Sequence, residues 1–131
     1  MLVDTSVWSL ALRRKSATAN DRITPALASL VEDGRVAMVG PIRQELLSGI
    51  KERAQFTRLR EHLHAFPDTR IAPSDYEDAA EFFNRCRENG VQGSNTDFLI
   101  CAIAARNAFP IFTTDGDFTH FAELLPITLY S

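Results

Sequence analysis

The residues of this 131-residue chain whose types and spacing could do chemistry are carboxylates. Asp4 closes a short apolar stretch, Leu2-Val3, that reads as a strand opening into Thr5-Ser6. Asp115 closes a second stretch, Ile111-Phe112-Thr113, and Asp117 follows it. In an open parallel sheet, ligands bind beyond the carboxyl ends of the strands, so these acids converge at one edge if their strands are neighbours. Glu45 lies on a helix that directly follows a strand. Asp97 lies in the first turn of an otherwise apolar helix. Taken singly, each acid has an ordinary role. A first-turn Asp interacts well with the helix dipole, a helical Glu is commonly solvated, and Asp115 and Asp117 suit a turn. Capping is already on offer from Ser94 or Asn95, so Asp97 is not needed for it. Taken together, oxygen-only ligands suit a hard cation such as Mg²⁺ or Mn²⁺. A bound cation relieves the repulsion among clustered carboxylates, activates water and stabilises charge developing on a phosphodiester.

Softer ligands are not placed to compete. Cys86 and Cys101 are far apart, with no Cys-x-x-Cys and no His pair nearby, which excludes a disulfide framework and a zinc site. Cys101 sits in an apolar helical run and reads as a small core residue. His62, His64 and His120 fall on helices as surface or half-buried residues. The formal net charge is -3, but it is unevenly spread: residues 1–60 carry +4 and residues 61–131 carry -7. That asymmetry permits a basic surface beside an acidic one, and equally two solvated faces.

The elements that must hold the acids follow from periodicity and punctuation. Val7, Trp8, Leu10, Ala11 and Leu12 suit a buried first helix, with a polar loop over 15–22. Ile23 to Glu32 reads as a helix started by Thr24-Pro25 and stopped by Gly34. Val36 to Val39 reads as a strand, and Gly40-Pro41 starts a helix that ends near Gly49. Glu52 to Phe66 is amphipathic, with Phe56, Leu59 and Leu63 on one face. Arg70-Ile71-Ala72 is a candidate short strand. Helices follow over Ser74 to Glu88, Thr96 to Asn107 and Asp117 to Leu124, with strands at Pro110–Thr113 and Ile127–Leu129. Short apolar strands alternating with helices imply a parallel sheet covered on both faces. There is no repeat, no low-complexity stretch and no linker, so one domain over residues 1–131 is expected. The longest apolar run, Phe98 to Ala105, is too short to span a membrane. Asp4 interrupts the opening apolar run, and the basic residues follow it, which argues against a signal peptide. A cytoplasmic location is the default expectation.

The sequence resembles the PIN domain, and more narrowly the VapC toxins of bacterial toxin–antitoxin pairs. The resemblance is carried by Asp4-Thr5-Ser6, by Glu45-Leu46-Leu47-Ser48-Gly49, by Asp97 with Ile100-Cys101-Ala102-Ile103-Ala104-Ala105, and by Thr113-Thr114-Asp115-Gly116-Asp117-Phe118. Each motif is weak alone; four in order and spacing over essentially the whole chain are specific. The resemblance implies a PIN-like three-layer α/β/α sandwich with a short, mainly parallel sheet. It implies a Mg²⁺- or Mn²⁺-dependent endoribonuclease, a homodimer, and a VapB-type antitoxin as partner. It makes Asp4, Glu45, Asp97 and Asp115 the catalytic acids, with Asp4, Asp97 and Asp115 holding the metal and Glu45 either joining them or acting as base. Ser6, Thr113 and Asp117 match accessory positions. Many relatives carry a plain aliphatic residue or Ala where Cys101 stands, which does not touch the chemistry.

RNA would have to be held against this acidic site. Arg43, Lys51, Arg53, Arg58 and Arg60 are candidates for phosphate contacts, which position a backbone without reading bases. Arg13, Arg14 and Lys15 are a second set. An ordinary solvated helix face accounts for either group equally well. One alternative function is a catalytically inactive PIN-like interaction module, which would lack acids that are present here. A phospho-acceptor or phosphatase-like domain would want a Lys after a late strand, and none occurs after Lys51. A structure-specific DNA nuclease of this fold would need arches for which 131 residues leave no room.

Overall fold

The computed structural model describes residues 1–13 and 22–131. The expected loop over 15–22, apart from Arg22, and the basic residues Arg14 and Lys15 lie outside the described residues. The elements are β1 (Leu2–Val3), α1 (Thr5–Arg13), α2 (Ile23–Glu32), α3 (Gly40–Leu47), α4 (Arg53–Leu63), α5 (Pro73–Glu88), α6 (Asn95–Asn107), β2 (Ile111–Phe112) and α7 (Asp117–Leu124). This is a mostly helical α/β fold with short parallel pairing. The chain divides into two compact units, residues 3–69 and residues 70–131 with Met1–Leu2.

In the unit of residues 3–69, α1 starts directly after Asp4, whose carbonyl accepts the amides of Val7 and Trp8. Val7 and Trp8 are buried, and the Trp8 ring meets Phe66 edge-on at 5.2 Å between centroids. α2 buries Leu27 and Leu30 and stops at Gly34, where φ is +66° and only glycine sits without strain. The strand expected over Val36 to Val39 contracts to bridges: Met38 pairs in parallel with Asp68, and Thr69 donates its amide to the Met38 carbonyl at 2.7 Å. The expected strand at 70–72 is not formed; the pairing partner lies just before it. Arg43 then ties α3 to the end of α4. Its guanidinium bonds Asp68 Oδ1 through Nε at 3.0 Å and Nη2 at 2.8 Å, Leu63 O at 3.1 Å and Phe66 O.

In the other unit, α6 is the organising element. Every residue from Phe98 to Ala104 is buried, so this helix has no solvent face along two turns. A helix of this kind must be wrapped, and α5 does so with Ala79, Phe82 and Cys86. Phe98, Phe83, Phe118 and Phe121 stack in edge and tilted pairs at 4.9–5.6 Å. Burial pushes the Cys86 thiol up, with Arg85 acting weakly the other way. Leu2 brings β1 beside β2, donating its amide to Pro110 O at 2.9 Å, and Ile111 bridges Leu129 in parallel. The expected last strand thus reduces to one bridge.

The far end of α6 is fixed by Arg106, whose Nε meets Asp75 Oδ1 at 2.7 Å and whose Nη2 meets Oδ2 at 2.9 Å and Arg70 O at 2.7 Å. Asp75 is fully buried and also accepts the Ala72 amide at 2.8 Å. The hydrogen bond from Arg106 holds the Asp75 carboxyl below the usual carboxylate range, against the opposing effect of its burial. Because the folded state holds this proton more weakly than the unfolded chain, Asp75 stabilises the fold fully above the ordinary carboxylate pKa. That contribution is lost as pH falls through the lowered folded value. Asp75→Ala should therefore cost about 2–3 kcal/mol at neutral pH, since it strands the arginine and an amide. Urea melts from pH 7 down to pH 2 should show the parent losing stability in acid more steeply than the variant. Parallel profiles would sink the assignment.

Candidate active site

Asp4 leaves β1 with only 7% of its surface exposed. A carboxylate in such a place needs hydrogen bonds to offset its desolvation. One comes from Ser6, whose Oγ donates to Asp4 Oδ2 at 2.8 Å. Ser6 is one of the two hydroxyl residues expected beside the acids, and here it is hydrogen-bonded to one. Glu45 lies in the same unit, on α3, exposed, between buried Ile42 and Leu46. Its helix begins immediately after the buried pair Met38-Val39 because Gly40-Pro41 ends the extended segment, with Pro41 at a position that needs no amide partner.

Asp97, Asp115 and Asp117 lie in the other unit. Ser94 Oγ accepts the Asp97 amide at 3.1 Å, and Asp97 Oδ2 accepts the Ser94 amide at 3.2 Å. This is a reciprocal capping box. The expectation that Ser94 makes Asp97 superfluous as a cap is therefore corrected: a helix start has several orphan amides, and one serine satisfies only one of them. Gly93 sets this corner, since a Cβ there would stand 2.6 Å from Phe121 Cζ in the fully buried aromatic cluster. Asp115 follows β2 half-buried. Its amide bonds Thr113 Oγ1 at 3.0 Å, and its Oδ1 accepts the Asp117 amide at 2.9 Å, so Asp115 starts α7 as well as ending the strand. Thr113 therefore holds the Asp115 backbone. Asp117 is exposed.

The structure thus joins Asp4 to Ser6, and Asp115 to Thr113 and Asp117. Among the described residues, no three His, Cys, Asp or Glu side chains form a group able to hold a metal ion. The donor chemistry nonetheless fits a hard divalent cation. The donors are carboxylates and hydroxyls, His62, His64 and His120 are all exposed, and both cysteines are free thiols in the core. Arg43, one of the candidates for phosphate contact, bonds Asp68, Leu63 and Phe66 through its guanidinium. Lys51, Arg53, Arg58 and Arg60 remain exposed. Sequence reasoning missed Asp75 and Arg106. A Pro73 start made an acid in the first turn legible as a cap, but nothing local named a partner 31 residues away.

The PIN domain family profile matches residues 1–124. The chain belongs to the PIN domain family. A VapC ribonuclease of Mycobacterium bovis and ribonuclease VapC11 of Mycobacterium tuberculosis are each 30% identical to it over 126 residues, 95% of this chain and 92% of theirs. Two solved structures share the fold. FitAcB from Neisseria gonorrhoeae superposes with a TM-score of 0.77 at 21% identity, over 99% of this chain and 96% of that one. VapBC2 from Rickettsia felis, bound to a DNA fragment from its promoter, gives 0.78 at 17% identity, over 98% and 96%. These likenesses establish the fold.

In this PIN domain the capping role of Asp97 can be isolated by substitution. Asp97→Ala should cost about 1 kcal/mol in thermal unfolding. Asp97→Asn keeps an oxygen to accept the Ser94 amide and should cost less than half of that. Equal losses in the two variants would show that Asp97 does not cap through its side-chain oxygen.

Proposed function

We propose that this chain is a metal-dependent endoribonuclease, the toxin of a VapBC-type toxin–antitoxin pair, working in the cytoplasm. The observation that carries the reading is a carboxylate, Asp4, buried to 7% exposure at the end of a strand and held by the Ser6 hydroxyl. Its place after the first strand resembles the family's first acid position, and relatives of the chain are named VapC ribonucleases. PIN-domain ribonucleases are generally metal-dependent. In our reading Asp4, Asp97 and Asp115 hold Mg²⁺ or Mn²⁺. When bound, the cation polarises the scissile phosphate and makes a water more acidic.

The protein's own groups do the rest. Ser6 fixes the rotamer of Asp4 by donating to Oδ2. Thr113 fixes the backbone of Asp115, and Asp115 orders the turn that carries Asp117. Glu45, exposed and unburdened by a cap, takes a proton from the attacking water or adds its oxygen to the ligand set. The helix dipole at the start of α6 lowers the cost of a negative charge at Asp97. A catalytically inactive interaction module is the second reading, and all four acids speak against it.

Replacing Asp4, Asp97 or Asp115 by Asn keeps shape and removes charge. Purified protein should cut total RNA with Mg²⁺ and not in EDTA. Each Asn variant should lose at least a hundredfold in rate with its fold intact by circular dichroism. An Asp4→Asn protein that cuts as fast as the parent at saturating Mg²⁺ would remove the site.

Two assembly proposals follow. The solved FitAcB and VapBC2 share this fold, and a VapB-type antitoxin is the proposed partner here. A closed twofold homodimer is the proposed form of the toxin, since that symmetry is commonest among soluble oligomers. Light scattering should give about twice 14.6 kDa for the purified chain. A monomer at every concentration, with and without the antitoxin, would refute the dimer.

A further inference from the structure

A groove of about 300 Å³ runs along the start of α4 and the segment before it, lined by Ile50, Lys51, Arg53, Phe56, Thr57 and Arg60. Its composition is unusual for a solvated helix face. Two apolar side chains, Ile50 and Phe56, are only half-buried, and three cations surround them. Residues 51–60 hold four Lys or Arg against a single acid, Glu52, in a chain whose net charge is -3. No carboxylate lines the groove, and Glu61 follows just outside it. Among the described residues, Lys51 and Arg53 make no side-chain hydrogen bond or ion pair. Arg60 has one interaction, its guanidinium lying 5.8 Å from the centre of the Phe56 ring. Arg43, by contrast, is held by a carboxylate and two carbonyls. The chain therefore separates its structural arginine from a set of cations held by no acid.

From this we infer that the groove is a subsite for one unpaired nucleotide of single-stranded RNA, with its base on the Phe56 ring and the flanking phosphates on Lys51, Arg53 and Arg60. The inference rests on the ribonuclease reading and adds to it a site outside the four acids. An aromatic ring beside basic side chains is the arrangement by which single strands are gripped: the base stacks and the cations follow the backbone. Stacking on an aromatic residue is worth more per base than an exposed cation–π contact. An arriving base thus displaces the Arg60 guanidinium, which is then free to meet the adjacent phosphate. A paired base cannot make this exchange, because its faces are covered by its neighbours in the duplex. The cations attract either form; the ring selects the unpaired one. Charge complementarity favours RNA over an acidic protein segment here because the ring and Ile50 demand a flat apolar group between two charges, which a nucleotide supplies.

The test uses the full chain in EDTA, so that no strand is cut, with a fluorescein-labelled 12-nucleotide RNA, single-stranded or annealed to its complement. Anisotropy should show Phe56→Leu weakening single-strand binding about tenfold with duplex binding changed less than twofold. Phe56→Trp should retain the parent affinity. Lys51→Gln and Arg53→Gln should weaken both forms and lower the slope of log affinity on log salt by about 0.7 each for the single strand. Because Phe56 is half-buried, melting temperatures of all variants are compared, and Phe56→Trp keeps the test sound if Phe56→Leu loosens the fold. Parent-like binding by Phe56→Leu, or equal losses for single strand and duplex, overturns the subsite. So does an effect of Phe56→Leu confined to self-association or to capture of an antitoxin, since the groove would then seat a protein. RNA cleavage by the parent in Mg²⁺, measured on the same preparation, reports on the ribonuclease reading separately. Cleavage with no Phe56 effect removes only the subsite.

Discussion

A helix with no solvent face imposes more on this protein than any other feature. From Phe98 to Ala104, α6 buries every side chain. Burial of this kind supplies much of a small domain's stability, at roughly 1.5–3 kcal/mol for each large apolar side chain taken from water. It also forces both helix ends to be settled by polar contacts, because a buried helix cannot leave its terminal amides and carbonyls to solvent. The N-terminal end is settled by the Ser94–Asp97 box. At the other end Arg106 reaches Asp75 and Arg70, and the chain turns through Ala108 in a left-handed conformation at φ +54°. Alanine in that conformation costs about 1 kcal/mol relative to glycine. The cost is carried by the Phe109 amide bonding back to Ala104 O at 2.9 Å, which closes the helix.

The charged residues of each unit divide by the partners they take. Arg106 and Arg43 spend their guanidinium groups on a carboxylate and on carbonyls within their own unit. Such forks suit arginine because its planar donors fit several acceptors at once. Lys51, Arg53, Arg58 and Arg60 lie together on or beside α4 and are exposed. Among the acids, Asp75 and Asp68 are matched by arginines, Asp4 accepts the Ser6 hydroxyl, and Asp115 accepts the Asp117 amide.

What could be read in advance followed from how local each signal was. α2 and α7 run between the residues that their punctuation named, Ile23–Glu32 and Asp117–Leu124, because Pro25, Gly34 and the Asp117 first turn act within a few residues. The strands were overextended. Val36–Val39 and Ile127–Leu129 are apolar enough to pair, yet each pairs by isolated bridges, since a run of three or four apolar residues has no period and its partner is distant in sequence. Among the candidate site residues, the nearness of Ser6 to Asp4 was legible, since they stand two positions apart. The commitment of Arg43 to Asp68, 25 residues on, and of Arg106 to Asp75, 31 residues back, was not, because long-range pairing leaves no local trace.

The proposed catalytic role of Asp97 need not compete with its capping role. A carboxylate offers about four acceptor positions, and the Ser94 amide takes one of them. The box fixes the side-chain rotamer, and Gly93, pressed against Phe121, fixes the backbone that carries Ser94. A metal ligand needs the same fixed direction. The bland reading of a first-turn aspartate is therefore a precondition of the chemical one. Within residues 70–131 Asp115 is set in the same way: its own amide bonds Thr113 Oγ1 and its Oδ1 accepts the Asp117 amide, so each of the two carboxylates also orders the start of a helix.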